Sequence, residues 1–515
     1  MAATGAKPAA SFFPQPSLRE KLATRAEASA YVEASSYDDV RSFLAALDAR
    51  AAPIVLGSLA TTTQQRQVPY VIASRPLVRN VAEARALRRP IVYIQAGIHG
   101  DEVDGTEALL AMLRDFCLSS QKTLLEELVL VIAPLYNPDG RENTGPLEQR
   151  RPYQNGPALV GDRRNGQGLD LDLDYVKLEA PETLGAVALL DVWKPDVVLD
   201  VRTGGVSCDV FAALLGPALH PAAFGGSFAR THLLPDVARK LREKFALDSF
   251  SYGHFGRDRE LAVPPPAGDA ANYGWFAYDY KPRFALNYLG LRGAVSALAA
   301  VNARDTFEQR IFSSRAFVEA ALSFCAENDE AVLDTARRAA GWSGGYVCLQ
   351  AAYPAGAVSQ PFEWEDVLAN GGATLSRGML PVHDRYAAAR FVLAPKAHLV
   401  PSGHAQLTEP LLRAHGITYE TLSESRTLRA KEFHIDSLSE AATLEGHLLR
   451  NIQGEWLPAR IHACEAGSLL IPTAQPLGPL LSVLLEPESD DGFYVWNAFD
   501  AVLQPNAPAP LLSVV

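Results

Sequence analysis

The chain has 515 residues, is 48% hydrophobic and 21% charged, and carries a formal net charge of -12 at pH 7. That length exceeds one ordinary hydrophobic core and predicts two or three domains. The acidic balance argues against nucleic acid or an anionic membrane as the main partner, and no apolar run reaches the roughly 18 residues of a membrane span.

Cys117, Cys208, Cys325, Cys348 and Cys464 are scattered, with no C-x-x-C pair. They read as buried thiols of a reducing compartment, which predicts a cytoplasmic protein. The opening MAATGAKPAASFFPQP lacks the apolar stretch of a signal peptide, and residues 1–17 read as a loosely held start. Leu18 to Leu47 carries apolar residues at mixed helical spacing and predicts short helices. Ile54 to Leu56 and Pro69 to Ala73 predict two strands around a polar turn. Ile91 to Ala96 is a buried strand running into G-I-H-G-D-E, so His99 and Glu102, three apart, sit at the carboxyl edge of a sheet. Open α/β sheets bind ligands at that edge, and such a pair can face one cation.

Gly105 to Phe116 predicts a helix. Leu128 to Leu135 is a continuous apolar run that stops at Asn137 to Gly140, NPDG; such a strand suits a sheet covered on both faces. Gln149 to Gly168 predicts a long loop near the sheet edge. LDLDLDY, Leu169 to Tyr175, predicts an extended segment with Asp170, Asp172 and Asp174 on one side, where like charges call for a cation or an amine. Val197 to Val201 predicts another buried strand, ending at Arg202 and Thr203. Phe284 to Ala300 contains a further strand and leads into a helix. Gly341 to Gly345, GWSGG, reads as a hinge. Beyond it the segments are short and Pro-punctuated, with one helix at Leu407 to Ala414 ended by Gly416 as a left-handed cap. The order predicts an α/β fold: a mostly parallel mixed sheet with helices on both faces. The expected division is an N-terminal segment 1–30, a main domain 31–340 and a smaller β-rich C-terminal domain 345–515.

The order of these signals resembles the zinc carboxypeptidases, the M14 metallopeptidases. It runs from H-G-D-E through NPDG, the Arg/Asn-rich loop, LDLDLDY, PDVVLDV and PRFALNYLGLRG (Pro282 to Gly293). TAQPLG (Thr473 to Gly478) and LLEPESDDG (Leu484 to Gly492) resemble bacterial members with an extra C-terminal domain. The resemblance implies a zinc carboxypeptidase-like fold and a definite set of site residues. His99 and Glu102 match the first two zinc ligands, Arg163 matches the oxyanion Arg, and Tyr288 matches the Tyr that closes over the substrate. Three positions depart from the family. Arg202 stands where the third ligand, a His, belongs. Asp172 and Leu173 replace the Asn-Arg pair that grips a substrate carboxylate. Ala300 stands where the general-base Glu belongs.

A guanidinium has no lone pair for zinc at neutral pH, so Arg202 predicts a Glu102–Arg202 ion pair and no bound metal. His220, His232 and His254 lack metal-ligand spacing to His99. Asp200, Cys208 and Asp209 are the remaining candidates for a third ligand. The leading expectation is a carboxypeptidase-like protein that has lost peptide hydrolysis and acts as a binding or regulatory subunit, pairing with an active relative or with itself. One alternative is a metal-dependent carboxypeptidase or amidohydrolase with a rebuilt zinc site. The other is a binder of a cationic small molecule beside Asp172, unless Asp172 pairs internally with Arg163 or Arg164. No cofactor is expected under the leading reading, and no nucleic-acid or membrane partner under any.

Overall fold

The computed structural model describes residues 22–50, 52–119, 123–257, 260–265, 268–269, 271–367 and 373–515. The Ala- and Pro-rich start expected at 1–17 lies outside the described residues. An eight-stranded mixed sheet dominates the first two-thirds of the chain. Its strands in chain order are β1 (Ile54–Thr61), β2 (Gln67–Ala73), β3 (Ile91–Ala96), β4 (Val129–Ala133), β5 (Val197–Thr203), β6 (Ala213–Pro217), β7 (Ser249–Ser251) and β8 (Val295–Val301). They lie side by side as β1-β2-β4-β3-β5-β8-β6-β7. The pairs β3–β4, β3–β5, β5–β8 and β6–β7 are parallel; β1–β2, β2–β4 and β6–β8 are antiparallel. Ile91–Ala96 and Val197–Val201, expected in one sheet, are hydrogen-bonded to each other within it.

Period-2 alternation explains why the central strands carry apolar residues at both parities. Ile91, Tyr93, Val129, Val131 and Val198 point into one apolar cluster, shared with the helix Pro181–Trp193. Val92, Ile94, Leu130, Ile132, Val197 and Leu199 point into the opposite one, shared with helices Asp104–Leu118 and Phe307–Glu327. A sheet buried on both faces needs apolar residues at both parities.

The C-terminal part is β-rich, as expected. A seven-stranded sheet includes Ala397–Val400, Leu469–Pro472, Ala507–Val514 and a long hairpin, Arg426–Leu444 with His447–Trp456. The helix expected at Leu407 to Ala414 begins earlier, at Ser402, and Gly416 follows its end with φ +71°. The apolar cluster on the first face of the main sheet continues across the expected hinge through Val347, Val400, Phe433 and Leu484, with Trp342 packed against it. All five cysteines are buried and unpaired with one another. Among the described residues no helix is long and apolar enough to cross a membrane.

Candidate functional site

The site lies at the carboxyl edge of β3 and β5. The chain leaves β3 through Gly97, whose φ of +67° suits a residue without Cβ. Gly100 approaches the backbone of the next loop so closely that a Cβ there would stand 2.2 Å from the Gly140 carbonyl carbon. The loop facing it opens on Asn137, which caps the helix Pro138–Glu142 by accepting from the Gly140 N–H at 2.8 Å. The same side chain donates to the carbonyls of Ile98 (3.3 Å) and Arg163 (3.4 Å), tying three loops together. NPDG, read from sequence as a strand end, is therefore also the clasp of the site.

His99 is 2% exposed and is held between two carboxylates. Its Nδ1 lies 2.8 Å from Glu102 Oε1 and its Nε2 lies 3.0 Å from Asp170 Oδ1. Burial and the Arg163 charge would lower its pKa, but the two carboxylates outweigh them and raise it to about 9. Glu102 is pushed up by burial, yet His99 and the nearby Arg151 and Arg202 guanidinium groups hold it well below the ordinary carboxylate range. Glu102 Oε2 also accepts the Thr203 N–H at 3.0 Å, and Arg151 Nη1 stands 3.5 Å from Oε1. Arg151 was not singled out in the sequence; it reaches the site from the polar loop after NPDG.

The extended segment expected at LDLDLDY is instead a 3₁₀ turn, Leu171–Leu173. The reason is local: Asp170 Oδ1 accepts the Asp172 N–H at 3.1 Å, folding the backbone round its own side chain. The turn separates the three acids. Asp170 takes His99 and Arg163 Nε (2.8 Å), Asp172 takes Arg202, and Asp174 accepts the backbone N–H groups of Glu179 and Ala180. Asp170 thus acts as the anchor of His99, a role the sequence pattern did not disclose.

Arg202 is 6% exposed. Its Nη2 donates to Asp172 Oδ1 at 2.8 Å and to Asp200 Oδ2 at 2.7 Å, and its Nε donates to Asp200 at 2.9 Å. The expected Glu102–Arg202 pair is replaced by this Asp172–Arg202–Asp200 bridge, because Glu102 is already taken by His99 and Arg151. Asp172 also accepts the Ala285 N–H at 3.2 Å. Its expected internal partners lie elsewhere: Arg163 on Asp170, and Arg164 on Glu445. The open anionic pocket expected beside Asp172 is therefore filled by the protein's own guanidinium. Arg202 and Ala300 are direct neighbours across the parallel pair β5–β8. The replaced positions 172, 202 and 300, far apart in sequence, thus come together at one point.

These side chains border a cavity of about 150 Å3 that His99, Arg163, Arg202 and Ala300 help to line, with Tyr252 and Tyr278 stacked at 4.3 Å. Tyr288 does not line it. It is fully buried on the helix Ala285–Leu291, and its hydroxyl meets His415 Nδ1 at 2.7 Å in the C-terminal part. Leu173 is also outside the lining; its carbonyl accepts from Lys177 Nζ.

The residues do not fit a three-ligand zinc site in this arrangement. His99 has both ring nitrogens engaged, and the third position is a guanidinium. Asp200 is spent on Arg202, and Asp209 accepts the Phe211 N–H, with burial raising its pKa to about 7. The Cys208 thiol sits against Arg304 Nη1 at 3.2 Å. His220 is buried and accepts the Ala222 N–H, His254 lies against the Phe255 carbonyl, and His232 is exposed beside Thr231. Among the described residues no three His, Cys, Asp or Glu side chains form a group that could hold a metal ion.

Residues 40–184 match the family model described as zinc carboxypeptidase. Carboxypeptidase D of Homo sapiens is 33% identical over 180 residues, which are 33% of this chain and 12% of that protein. The chain thus spans about an eighth of the length of the first curated relatives it matches. Carboxypeptidase 2 of Trichophyton tonsurans is 22% identical over 462 residues, covering 83% of this chain and 77% of that one. Among solved structures, a metallo-carboxypeptidase from Burkholderia cenocepacia covers 58% of this chain and 71% of its own, at 15% identity and a TM-score of 0.40.

Proposed function

We propose that this chain, a member of the zinc carboxypeptidase family through residues 40–184, has lost zinc-dependent peptide hydrolysis and serves as a binding or regulatory protein, acting with an active carboxypeptidase-like partner or a second copy of itself. One observation carries the reading. The Arg at the third-ligand position is buried and bonded to two aspartates, one of which, Asp172, is itself a departure from the family pattern. A lone Arg in a metal site would leave a buried charge unpaired; here the charge is matched by a second substitution beside it, so the altered site is self-consistent. Ala300, next to Arg202, offers no general base. A missing positioned base alone forfeits about 10²- to 10⁴-fold in rate.

The test has two arms. Elemental analysis of protein purified without added metal, and again after zinc incubation and dialysis, is expected to give far less than one zinc per chain. Peptides with a free C-terminus are expected to show no turnover above background. Stoichiometric zinc that disappears in His99→Ala, or turnover that disappears in Arg163→Ala, would overturn the reading in favour of a rebuilt metal site.

A further inference from the structure

The long C-terminal hairpin ends in a two-residue turn, Glu445-Gly446, between the paired residues Leu444 and His447. Both turn residues have positive φ, +49° and +82°, the pattern of a type I′ turn. Asn or Asp is the usual first residue there, and a Glu with a left-handed backbone is disfavoured. The turn therefore does not account for Glu445. Its contacts do. The side chain is only 3% exposed although it sits at a hairpin tip. Its Oε2 accepts the Asp170 backbone N–H at 2.9 Å and Arg164 Nη1 at 3.1 Å. Asp170 is the residue that anchors both His99 and Arg163, two groups lining the cleft.

We propose that this hairpin tip is a latch: Glu445 fixes the cleft wall at residues 163–173, so that the C-terminal region sets the geometry of the cleft. Three further contacts bind the segment that follows this wall, residues 175–179, to the same region. His447 Nε2 lies 3.0 Å from Glu179 Oε1, and Lys177 Nζ sits 4.4 Å from the centre of the Trp496 ring. Asp491 accepts the Arg283 N–H and Nε at 2.8 Å each, and the Arg283 carbonyl in turn accepts the Tyr175 N–H. Glu445 differs from these in reaching a backbone group of the site itself. It is a positioning residue acting through Asp170, and the proposal holds whether or not the cleft retains catalysis.

The experiment is residue-resolved hydrogen exchange on the full chain. In Glu445→Gln the Asp170 amide loses a charged acceptor, and its exchange is expected to rise about 10- to 100-fold. Amides of the hairpin strands are expected to keep their parent rates. Glu445→Asn is the decisive second variant. Asn suits the turn better than Glu but is too short to reach Asp170, so the hairpin should hold while the Asp170 amide still speeds up. Unchanged exchange at Asp170 in both Glu445 variants would overturn the latch. So would acceleration spread evenly over the C-terminal sheet.

Discussion

Replacing Arg202 by Met tests whether the Asp172–Arg202–Asp200 bridge neutralises the site. The substitution keeps an unbranched stem that reaches about as far as Nε and removes the guanidinium and its charge. Asp200 is fully buried and Asp172 largely so, and both direct an oxygen at this guanidinium. Removing one partner of such a bridge leaves unpaired buried charge and costs about 3–5 kcal/mol. That is a large fraction of the roughly 5–15 kcal/mol that holds a native protein together. The loss is expected to depend on pH. Burial already raises the Asp200 pKa, opposed by Arg202; without the Arg it rises further. An acid whose folded pKa is raised keeps a proton that the unfolded chain releases above about 3.8, so stability is fullest at low pH and falls as pH rises. The gap between parent and variant should widen only above the parent's own raised Asp200 pKa, by up to about 1.4 kcal/mol per unit. Urea unfolding followed by fluorescence and circular dichroism at pH 5 and pH 8 measures it. Adding Asp200→Asn should recover part of the loss, the remainder staying with Asp172, which is left without its guanidinium. A single-variant cost below about 1 kcal/mol, or a double variant losing the sum of both changes, would refute the idea that Arg202 occupies and neutralises the old metal position.

Three further outcomes are expected. His99, with its pKa raised to about 9, should contribute stability fully below pH 6.5 and lose it as pH rises through about 9; imidazole NMR should show the Asp170→Asn variant titrating at lower pH. Glu486 is pushed by burial to about 8, and burial lowers its neighbour His398 to about 4, so at neutral pH their 3.7 Å approach is not an ion pair. Glu486 should cost stability as pH rises from 4.5 to 8, while His398, kept neutral, offsets that up to pH 6.5; the net fall is therefore expected from 6.5 to 8, and Glu486→Gln should flatten it in melting experiments. Gly100→Ala, which drives a Cβ against the Gly140 backbone, should cost at least the roughly 1–3 kcal/mol of overpacking, read as a lowered melting temperature and released loops around His99.

Much of the architecture was legible because it follows from local rules. The apolar runs at Ile91, Leu128 and Val197 demanded a sheet covered on both faces, and the residues ending those runs marked the edge where a site would form. The order of motifs named the family resemblance and pointed to positions 172, 202 and 300 as departures. A sequence motif does not say which face of a short helix meets the cleft; the helix Ala285–Leu291 is buried all round, and Tyr288 turns toward His415.

The sequence by itself determined that a guanidinium and not an imidazole stands at the end of β5, and that no carboxylate stands at position 300. Which acid meets that guanidinium was a tertiary matter. Glu102, Asp170, Asp172, Asp174 and Asp200 are all near in pattern, and Coulomb attraction alone does not rank them. The self-capping of Asp170 folded its segment into a 3₁₀ turn, gave His99 to Asp170 and Glu102, and left Asp172 to Arg202. The reach of Glu445 to Asp170, 275 residues earlier in the chain, likewise has no local signature. Partners so distant are chosen by packing, where burying one carboxylate against one set of donors removes it from every other.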